Sequence, residues 1–231
     1  MAGEIYSFRL GLNSCYLIGG NDIVMVDGGM PNKLGKFKRV LSKLNISPDR
    51  IKLIILTHSH FDHSGSAREI SGFTGAKIAI HESERTFIEA GGIIIPKGVN
   101  MWGKITKAPL FGIFRRVNFP MFTPDILISS ESYPLDEYGI KGSIIHTPGH
   151  TGGSLSVVLD TGEAFVGCMA HNGLPFRFRP GLPIYALDID TLIRSWRKLI
   201  DMNLTMIFPG HGKPFNVDII KRAIRKYSAR A

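Results

Sequence analysis

Three histidines and one aspartate fall within residues 58–63, at a spacing that could hold metal ions: His58, His60, Asp62 and His63. Alternate side chains of an extended backbone project to the same side, so the rings of His58 and His60 can bind a single ion. Asp62 and His63 follow as the chain turns into a predicted helix, where they can face a second ion nearby. Imidazole and carboxylate groups are common zinc ligands, so this segment predicts a metal site.

Three more residues that can bind metal follow predicted strands. They are His150 in Thr147-Pro148-Gly149-His150, Cys168 in Phe165-Val166-Gly167-Cys168 and His211 in Pro209-Gly210-His211-Gly212. A glycine beside each one lets the backbone bend tightly and approach an ion. Each fragment by itself is modest evidence, because histidine clusters also arise in turns and on surfaces. Four fragments in a fixed order are far less expected by chance.

Taken in order, these four fragments resemble the pattern of the metallo-β-lactamase superfamily. That pattern is a histidine and aspartate cluster, a Pro-Gly-His segment, a Gly-Asp-type segment and a terminal Pro-Gly-His-Gly, and the match covers nearly the whole chain. The resemblance implies the α/β fold of this family, a four-layer αβ/βα sandwich in which two mixed β-sheets are flanked by helices. It also implies two zinc sites, the first formed by His58, His60 and His150 and the second by Asp62, His63 and His211.

Two zinc ions are therefore the expected cofactor. One zinc ion or another transition metal is the alternative, because a sequence does not fix metal identity. Asp27 in Val26-Asp27-Gly28-Gly29 matches a segment that, in the family, supports the first histidines by hydrogen bonding. A turn-forming aspartate before glycine is the other interpretation of Asp27.

Cys168 departs from the family pattern, because it occupies the place of the aspartate that usually touches both metals. One subgroup of the true β-lactamases has a cysteine that ligates only the second zinc, and a thiolate is a good zinc ligand. Without a bridging carboxylate, a shared hydroxide would be the main link between the ions. Cysteine here also argues against the iron-dependent persulfide dioxygenase branch. The alternative is that Cys168 only fills space after the apolar strand Ala164–Val166, which would leave the second site one ligand short.

Such a site predicts hydrolysis by a metal-bound hydroxide, which forms near neutral pH and attacks a carbonyl carbon or phosphorus. Asp62 is the expected catalytic residue, because it would orient that nucleophile and take part in proton transfer. The leading substrates are small acyl molecules with an ester, thioester or lactone bond, as in the branches that resemble glyoxalase II and the lactonases. His171, Arg177 and Arg179 are candidates for binding a substrate carboxylate, and a surface loop is the other interpretation of this segment.

Three other functions stay open on the sequence. Cys168 favours a β-lactamase, but His171 stands where that subgroup has a lysine. A phosphodiesterase or RNA-processing nuclease would suit the net charge of +9, from 28 basic and 19 acidic residues, although the chain has no basic tract interleaved with aromatic residues. The third is a metal- or redox-responsive binding module in which Cys168 has abolished hydrolysis.

The elements that must position these residues are predicted by short apolar runs and amphipathic segments. β-Branched runs predict antiparallel strands at the start of the chain, followed by a helix after Pro31. The run Ile51–Leu56 predicts a buried strand that leads directly into the histidine cluster. Asp62 is predicted to cap a helix that continues through Ile70, which places the cluster at a strand-to-helix junction.

The chain of 231 residues is predicted to form a single domain, 1–231, since no linker divides it. Within it, residues 91–123 form a long apolar insertion that we interpret as an active-site cover or a homodimer contact. No stretch approaches the roughly 20 apolar residues of a membrane-spanning helix and no signal peptide is evident, so a cytoplasmic protein is expected. Two cysteines, Cys15 and Cys168, are too few for a disulfide framework and suit a reducing compartment.

Overall fold

The computed structural model describes residues 4–91, 96–105, 121–173 and 179–229. Within these ranges the strands are β1 (Glu4–Leu10), β2 (Asn13–Gly19), β3 (Ile23–Val26), β4 (Ile51–Ile55), β5 (Lys77–His81), β6 (Lys97–Gly98), β7 (Ile126–Ile128), β8 (Ser132–Pro134), β9 (Gly142–His146), β10 (Leu155–Leu159), β11 (Glu163–Asn172), β12 (Tyr185–Ala186), β13 (Met206–Gly212) and β14 (Phe215–Asn216). The helices with both ends in these ranges are α1 (Leu34–Leu44), α2 (Phe61–Ser64), α3 (Ala67–Thr74), α4 (Arg85–Ala90), α5 (Ile189–Ile200) and α6 (Asp218–Ser228). Short 3-10 helices occupy Pro48–Arg50, Glu82–Glu84 and Asp136–Tyr138.

The first sheet has the strand order β1-β2-β3-β4-β5-β7. Its first three strands are antiparallel, whereas β3, β4, β5 and β7 run parallel to one another. Parallel neighbours need a crossover connection, and α1 and α3 lie in the first two of these crossovers. Because the carboxyl ends of parallel strands meet at one edge of a sheet, the segments that follow β3, β4 and β5 lie at the same edge.

The second sheet has the strand order β14-β13-β11-β10-β9-β8. Within it β11 and β13 are parallel, and the other neighbouring strands are antiparallel. The connection from β11 to β13 contains α5. A separate two-stranded ribbon joins β6 to β12. Both large sheets therefore mix parallel and antiparallel pairs, as the sequence predicts.

The apolar side chains of the strands alternate between two sides of each sheet. In β3, Val24 and Val26 pack in one cluster with residues of the second sheet such as Phe165, whereas Ile23 and Met25 pack in another cluster with residues of α1 and α3. Residues of α5 and α6 cover the far side of the second sheet in a third cluster. The layers follow the order helix, sheet, sheet, helix, which confirms the predicted αβ/βα sandwich.

The helix predicted from Asp62 through Ile70 is divided into two. α2 is a single turn whose N-terminal cap is His60, and α3 begins separately at Ala67. The prediction that Asp62 caps the helix is wrong, because Asp62 lies inside the first turn of α2 and its carboxylate lies 3.2 Å from the Nε2 atom of His211. The carboxylate is thus directed at the histidine cluster and not at the backbone of α2.

The apolar insertion at 91–123 is described only in part, because 92–95 and 106–120 lie outside the described residues. Its described portion exposes four large apolar side chains: Met101, Trp102, Ile105 and Met121. Exposed apolar groups of this size suit a surface that is covered in some state of the protein. The roles of the insertion as an active-site cover or a homodimer contact stay predictions.

Two further features concern the cysteines and the membrane. Cys15 and Cys168 are both buried free thiols. Among the described residues, no helix combines the length and the apolar composition that crossing a bilayer requires.

Candidate metal centre

The predicted metal-binding residues lie together at the ends of strands from both sheets. Four of them come from the loop after β4 and from α2: His58, His60, Asp62 and His63. Three come from the second half of the chain: His150 between β9 and β10, Cys168 on β11 and His211 on β13. Because β4 belongs to the first sheet and β11 and β13 belong to the second, the cluster joins the two halves of the sandwich.

The first group of donors consists of three imidazoles. His58 Nε2 lies 2.9 Å from His60 Nδ1, and His60 Nδ1 lies 3.3 Å from His150 Nε2. Nitrogens at these separations converge on one point, as ligands about 2.0–2.1 Å from a shared zinc ion would do. His58 and His150 are buried, whereas His60 is partly exposed, so the group opens to solvent on one side.

The second group combines nitrogen, oxygen and sulfur. Asp62 Oδ2 lies 3.2 Å from His211 Nε2 and 3.9 Å from His63 Nε2. Cys168 Sγ lies 3.2 Å from His63 Nε2. The side chain of Asp62 is 13 % exposed, against 4 % for His211 and 0 % for His63. Asp62 is therefore the member of this group that solvent or a substrate can approach.

Cys168 lies between the two groups. Its Sγ atom is within 4.8 Å of ligand atoms of His58 and His150, and likewise of ligand atoms of His63 and His211. The sulfur therefore faces imidazole rings on both sides. A sulfur in this position can reach an ion in either group.

Two of these histidines have a backbone carbonyl on the nitrogen that faces away from the cluster. The Nδ1 atom of His150 lies 2.9 Å from the carbonyl oxygen of Tyr185, and Nδ1 of His211 lies 3.2 Å from that of Leu12. A carbonyl oxygen can only accept a hydrogen bond, so each ring donates from Nδ1. When the ring is neutral, its Nε2 atom therefore carries a lone pair. The lone pairs thus face the cluster, as in metal-binding imidazoles.

Asp27 contacts a different histidine from the ones that the sequence predicts. Its Oδ2 atom lies 2.7 Å from His63 Nδ1, because α2 places His63 beside the end of β3, where Gly28 N–H bonds to the His63 carbonyl. Its Oδ1 atom accepts from the backbone N–H and the hydroxyl of Thr57, each at 2.9 Å. Thr57 Oγ1 in turn lies 3.0 Å from His58 Nδ1. Asp27 therefore supports His63 directly and reaches His58 only through Thr57.

Opposite charges accumulate in the second group. Burial raises the pKa of the Cys168 thiol, but His63 and His211 outweigh it and hold that pKa well below its ordinary value. Burial lowers the pKa of His63, but Cys168 and Asp27 raise it well above its ordinary value. Burial also lowers the pKa of His211, but Cys168 and Asp62 outweigh burial and raise that pKa to about 9. Protonated imidazoles thus balance the charge of the thiolate, and a metal cation bound here would take the place of their protons.

The first group is electrostatically different. Burial, with repulsion from His63, lowers the pKa of His58 well below its ordinary value, and burial and His150 lower the pKa of His60 to about 4. Neutral imidazole is the form that binds metal, so these rings are ready for an ion at neutral pH. For Asp62, burial raises the pKa, but His63 and His211 outweigh burial and keep the pKa below its ordinary value.

Gly167 allows β11 to approach the loop after β4. Its φ of +50° lies in the left-handed region, and a Cβ atom there would lie 2.7 Å from Thr57 Cβ. Glycine meets both conditions because it has no Cβ. The register between β11 and β13 also shifts around this residue, and such an irregularity redirects side chains. Gly167 therefore sets the position of Cys168 relative to Thr57.

The predicted substrate contacts occupy different environments. His171 is not on a surface loop, because β11 continues to Asn172 and buries it, with its ring centroid 5.3 Å from that of His211. Arg179 is exposed, and it precedes Gly181, whose backbone pairs with that of His171. Arg177 lies outside the described residues. Carboxylate binding by these residues stays a prediction.

The groups that orient the histidines were not predicted from the sequence. Thr57 carries a signal, because it directly precedes His58 and a hydroxyl beside a candidate metal-binding histidine can bond to its ring. The carbonyl oxygens of Leu12 and Tyr185 carry no such signal, because every residue has a carbonyl and only the fold decides which one faces a ring.

Comparison with known proteins places the chain in a family. The sequence profile of the metallo-β-lactamase superfamily matches residues 9–211. The probable metallo-hydrolase YflN of Bacillus subtilis is 28% identical over 215 residues, which cover 84% of this chain and 76% of the relative. Hydroxyacylglutathione hydrolase GloC of Haemophilus influenzae is 28% identical over 195 residues, 82% of each chain. The crystal structure of TTHA1623 in a di-iron-bound form has a TM-score of 0.66 at 21% identity, and the match covers 94% of this chain and 98% of that one.

Because the profile covers most of its length, the chain belongs to the metallo-β-lactamase superfamily. It is a metal-dependent hydrolase of that class. The resemblance that four sequence fragments predict is thereby confirmed, and so is the fold that the resemblance implies.

Proposed function

We propose that the protein holds two zinc ions and hydrolyses an ester, thioester or lactone bond in a small acyl substrate. The observation that carries this proposal is the convergence of side chains from both sheets on two adjacent points, with Cys168 between them. A relative of this chain is named a hydroxyacylglutathione hydrolase, which supports an acyl substrate for this chain.

The donor set fits zinc, because imidazole nitrogen and thiolate sulfur are ligands that zinc favours. The first ion would be held by His58, His60 and His150, and the second by Asp62, His63 and His211. Cys168 would contribute its sulfur to either ion or to both. Bound zinc polarises an acyl oxygen and lowers the pKa of water to near neutrality. Iron is the alternative metal, since TTHA1623 was solved with two irons, and a sulfur donor favours zinc over iron here.

Asp62 is the group that this chain offers to the attacking water. Its carboxylate is partly exposed at the mouth of the cluster, and His63 and His211 hold its pKa below the ordinary value. It is therefore ionised at neutral pH and can accept a hydrogen bond or a proton from water. The carboxylate lies beside His211 Nε2 in the second group, so Asp62 would both bind the second ion and orient the water.

Two exposed leucines are bonded through their backbones to histidines of the cluster. Leu12 is 50% exposed, and its carbonyl accepts from the ring of His211. Leu187 is 38% exposed, and its N–H donates to the carbonyl of His150 at 3.1 Å. Apolar groups at both histidines suit an acyl chain better than a polynucleotide, whose phosphates require lysine or arginine contacts. Arg179 is the candidate for binding a carboxylate on such a substrate.

The experiment is a substrate panel, assayed with protein that has been stripped of metal and reloaded with zinc or ferrous iron. Hydroxyacylglutathione, an aryl ester, a lactone, a β-lactam and a phosphodiester represent the candidate activities. We expect zinc-dependent turnover of at least one of the first three, and none by an Asp62→Ala variant prepared identically. Turnover of the β-lactam or the phosphodiester alone would overturn the proposal. Two bound ions with no turnover would overturn it as well and would favour the metal- or redox-responsive module.

A further inference from the structure

Glu84 is a buried carboxylate next to the candidate metal centre that none of the roles described above uses. It is the last residue of the 3-10 helix that follows β5, and it is 2% exposed. Burying an ionised carboxylate is costly unless hydrogen bonds compensate for the lost water. The groups that compensate for it therefore indicate what Glu84 holds in place.

The carboxylate of Glu84 bonds to two separate loops of the centre. Its Oε2 atom accepts from the backbone N–H of Ser59 at 3.0 Å and also from the Ser59 hydroxyl. Its Oε1 atom accepts from the backbone N–H of Gly153 at 3.0 Å. Ser59 separates His58 from His60, and Gly153 belongs to the loop that carries His150. One carboxylate thus joins the segments that carry all three imidazoles of the first group.

Packing of Gly153 supports the same connection. A Cβ atom on Gly153 would lie 2.6 Å from Glu84 Cγ and 2.6 Å from Ser83 Oγ. Such an approach requires glycine, so the His150 loop rests directly against the side chain of Glu84.

The bonds to Glu84 also account for its charge. Burial raises the pKa of Glu84, but the hydroxyls of Ser59 and Thr151 and the N–H of Ser59 outweigh it, and the net pKa lies below its ordinary value. Hydrogen bonds donated to an ionised acceptor are shorter and about twice as strong as those between neutral groups. An ionised Glu84 therefore fixes the two loops more firmly than a neutral side chain would.

We propose that Glu84 is a positioning residue that sets the distance between the His58–His60 segment and the His150 loop, and so the affinity of the first metal ion. The inference rests on the proposed function, because it takes the three imidazoles as ligands of one ion. Glu84 itself contacts loops and no reacting atom. Loss of the Glu84 carboxylate should therefore lower the affinity for the first ion and leave the affinity for the second ion unchanged.

The experiment measures zinc affinity by competition with a chromophoric chelator, in two backgrounds that each weaken one site. In the His211→Ala background the tighter ion is the first one, and in the His58→Ala background it is the second. We expect Glu84→Gln to weaken zinc binding about tenfold in the first background, as loss of a group that orients metal ligands does. In the second background the change should stay under about threefold. Glu82→Gln, a matched change at an exposed position of the same 3-10 helix, should alter neither.

An equal loss of zinc affinity on Glu84→Gln substitution in both backgrounds, or no loss of affinity in either, would overturn the inference. Circular dichroism and thermal unfolding of the metal-free proteins show whether each variant is folded. If Glu84→Gln fails to fold, Ser59→Ala is the substitute variant, because it removes only the hydroxyl bond to Glu84. It should lower the affinity for the first ion by about threefold and leave the affinity for the second ion unchanged. Failure of the wild-type chain to bind zinc would instead defeat the proposed function, so the two failures are distinguishable.

Discussion

Cys168 is the residue that most distinguishes this centre from the pattern of its family. Its sulfur lies within 4.8 Å of ligand atoms in both groups, and the imidazoles around it outweigh burial and hold its pKa well below the ordinary value of a thiol, which favours the thiolate. Aspartate at the same position would also supply one negative charge. The two residues therefore differ in reach and donor type more than in charge.

Substitution at Cys168 is the sharpest test of this residue. We expect Cys168→Ala to bind at least one of the two ions at least tenfold more weakly, because the thiolate is lost, whereas Cys168→Asp should keep two ions. Metal content per chain after dialysis against a weak chelator measures the difference. Cys15→Ala removes the other buried thiol and should keep both ions. Retention of two tightly bound ions by Cys168→Ala would show that the thiol does not bind metal.

His81 gives the fold a dependence on pH that is separate from the metal centre. Its ring stacks on that of His146 at a centroid distance of 4.0 Å. Burial and His146 lower the pKa of His81, and Glu82, Glu84 and Glu131 oppose this only in part. Because the folded pKa is lower than the unfolded value of about 6.5, the unfolded chain binds the proton more readily as the pH falls. The stability that neutral His81 contributes is thus present above about pH 6.5 and is lost below it.

We therefore expect metal-free wild-type protein to lose more free energy of unfolding between pH 7 and pH 5 than the His81→Gln variant does. Urea denaturation at the two pH values measures both losses, and their difference isolates His81 from the other histidines. An equal or larger loss in the variant would contradict this assignment.

At the scale of the elements, the centre depends on the close approach of β11 to the loop after β4. Gly167→Ala would force a residue with a side chain into the left-handed region, at a cost of about 1–2 kcal/mol, and would push against Thr57. We expect a lower melting temperature and weaker zinc binding, since Thr57 contacts both Asp27 and His58. Gly72→Ala on α3, where a Cβ atom meets open space, should leave zinc binding unchanged. Unaltered zinc affinity in Gly167→Ala would refute this role of the glycine.

Strands were easier to predict from the sequence than the orientation of side chains around the centre. β4 follows from the apolar run Ile51–Leu56, because a strand buried on both faces needs no polar alternation. The division between α2 and α3 was not predictable. The sequence favours Asp62 as a helix cap, and only the folded structure shows that its carboxylate contacts His211 instead. Similarly, Glu84 lies far along the chain from Gly153, and only the packed sandwich brings the two together.

At the scale of the whole molecule, the candidate metal centre joins the two sheets, because each sheet supplies residues to the cluster. Each ion that binds only this folded arrangement stabilises it by about 4 kcal/mol when free metal exceeds the dissociation constant a thousandfold. For a chain of this size, we expect chelation to lower the melting temperature by about 10 °C for each ion removed. Scanning calorimetry with and without zinc measures the shift, and a His58→Ala, His211→Ala double variant is the control. An equal shift in that variant would place the stabilising ions elsewhere.

The position of bound metal tests the central claim most directly. Crystals grown with zinc and measured on both sides of the zinc absorption edge would locate each ion by anomalous scattering. We predict two peaks per chain, one within bonding distance of His58, His60 and His150, and the other within bonding distance of Asp62, His63 and His211. No peak in this cluster, or a single peak at full zinc occupancy, would contradict a two-metal hydrolase.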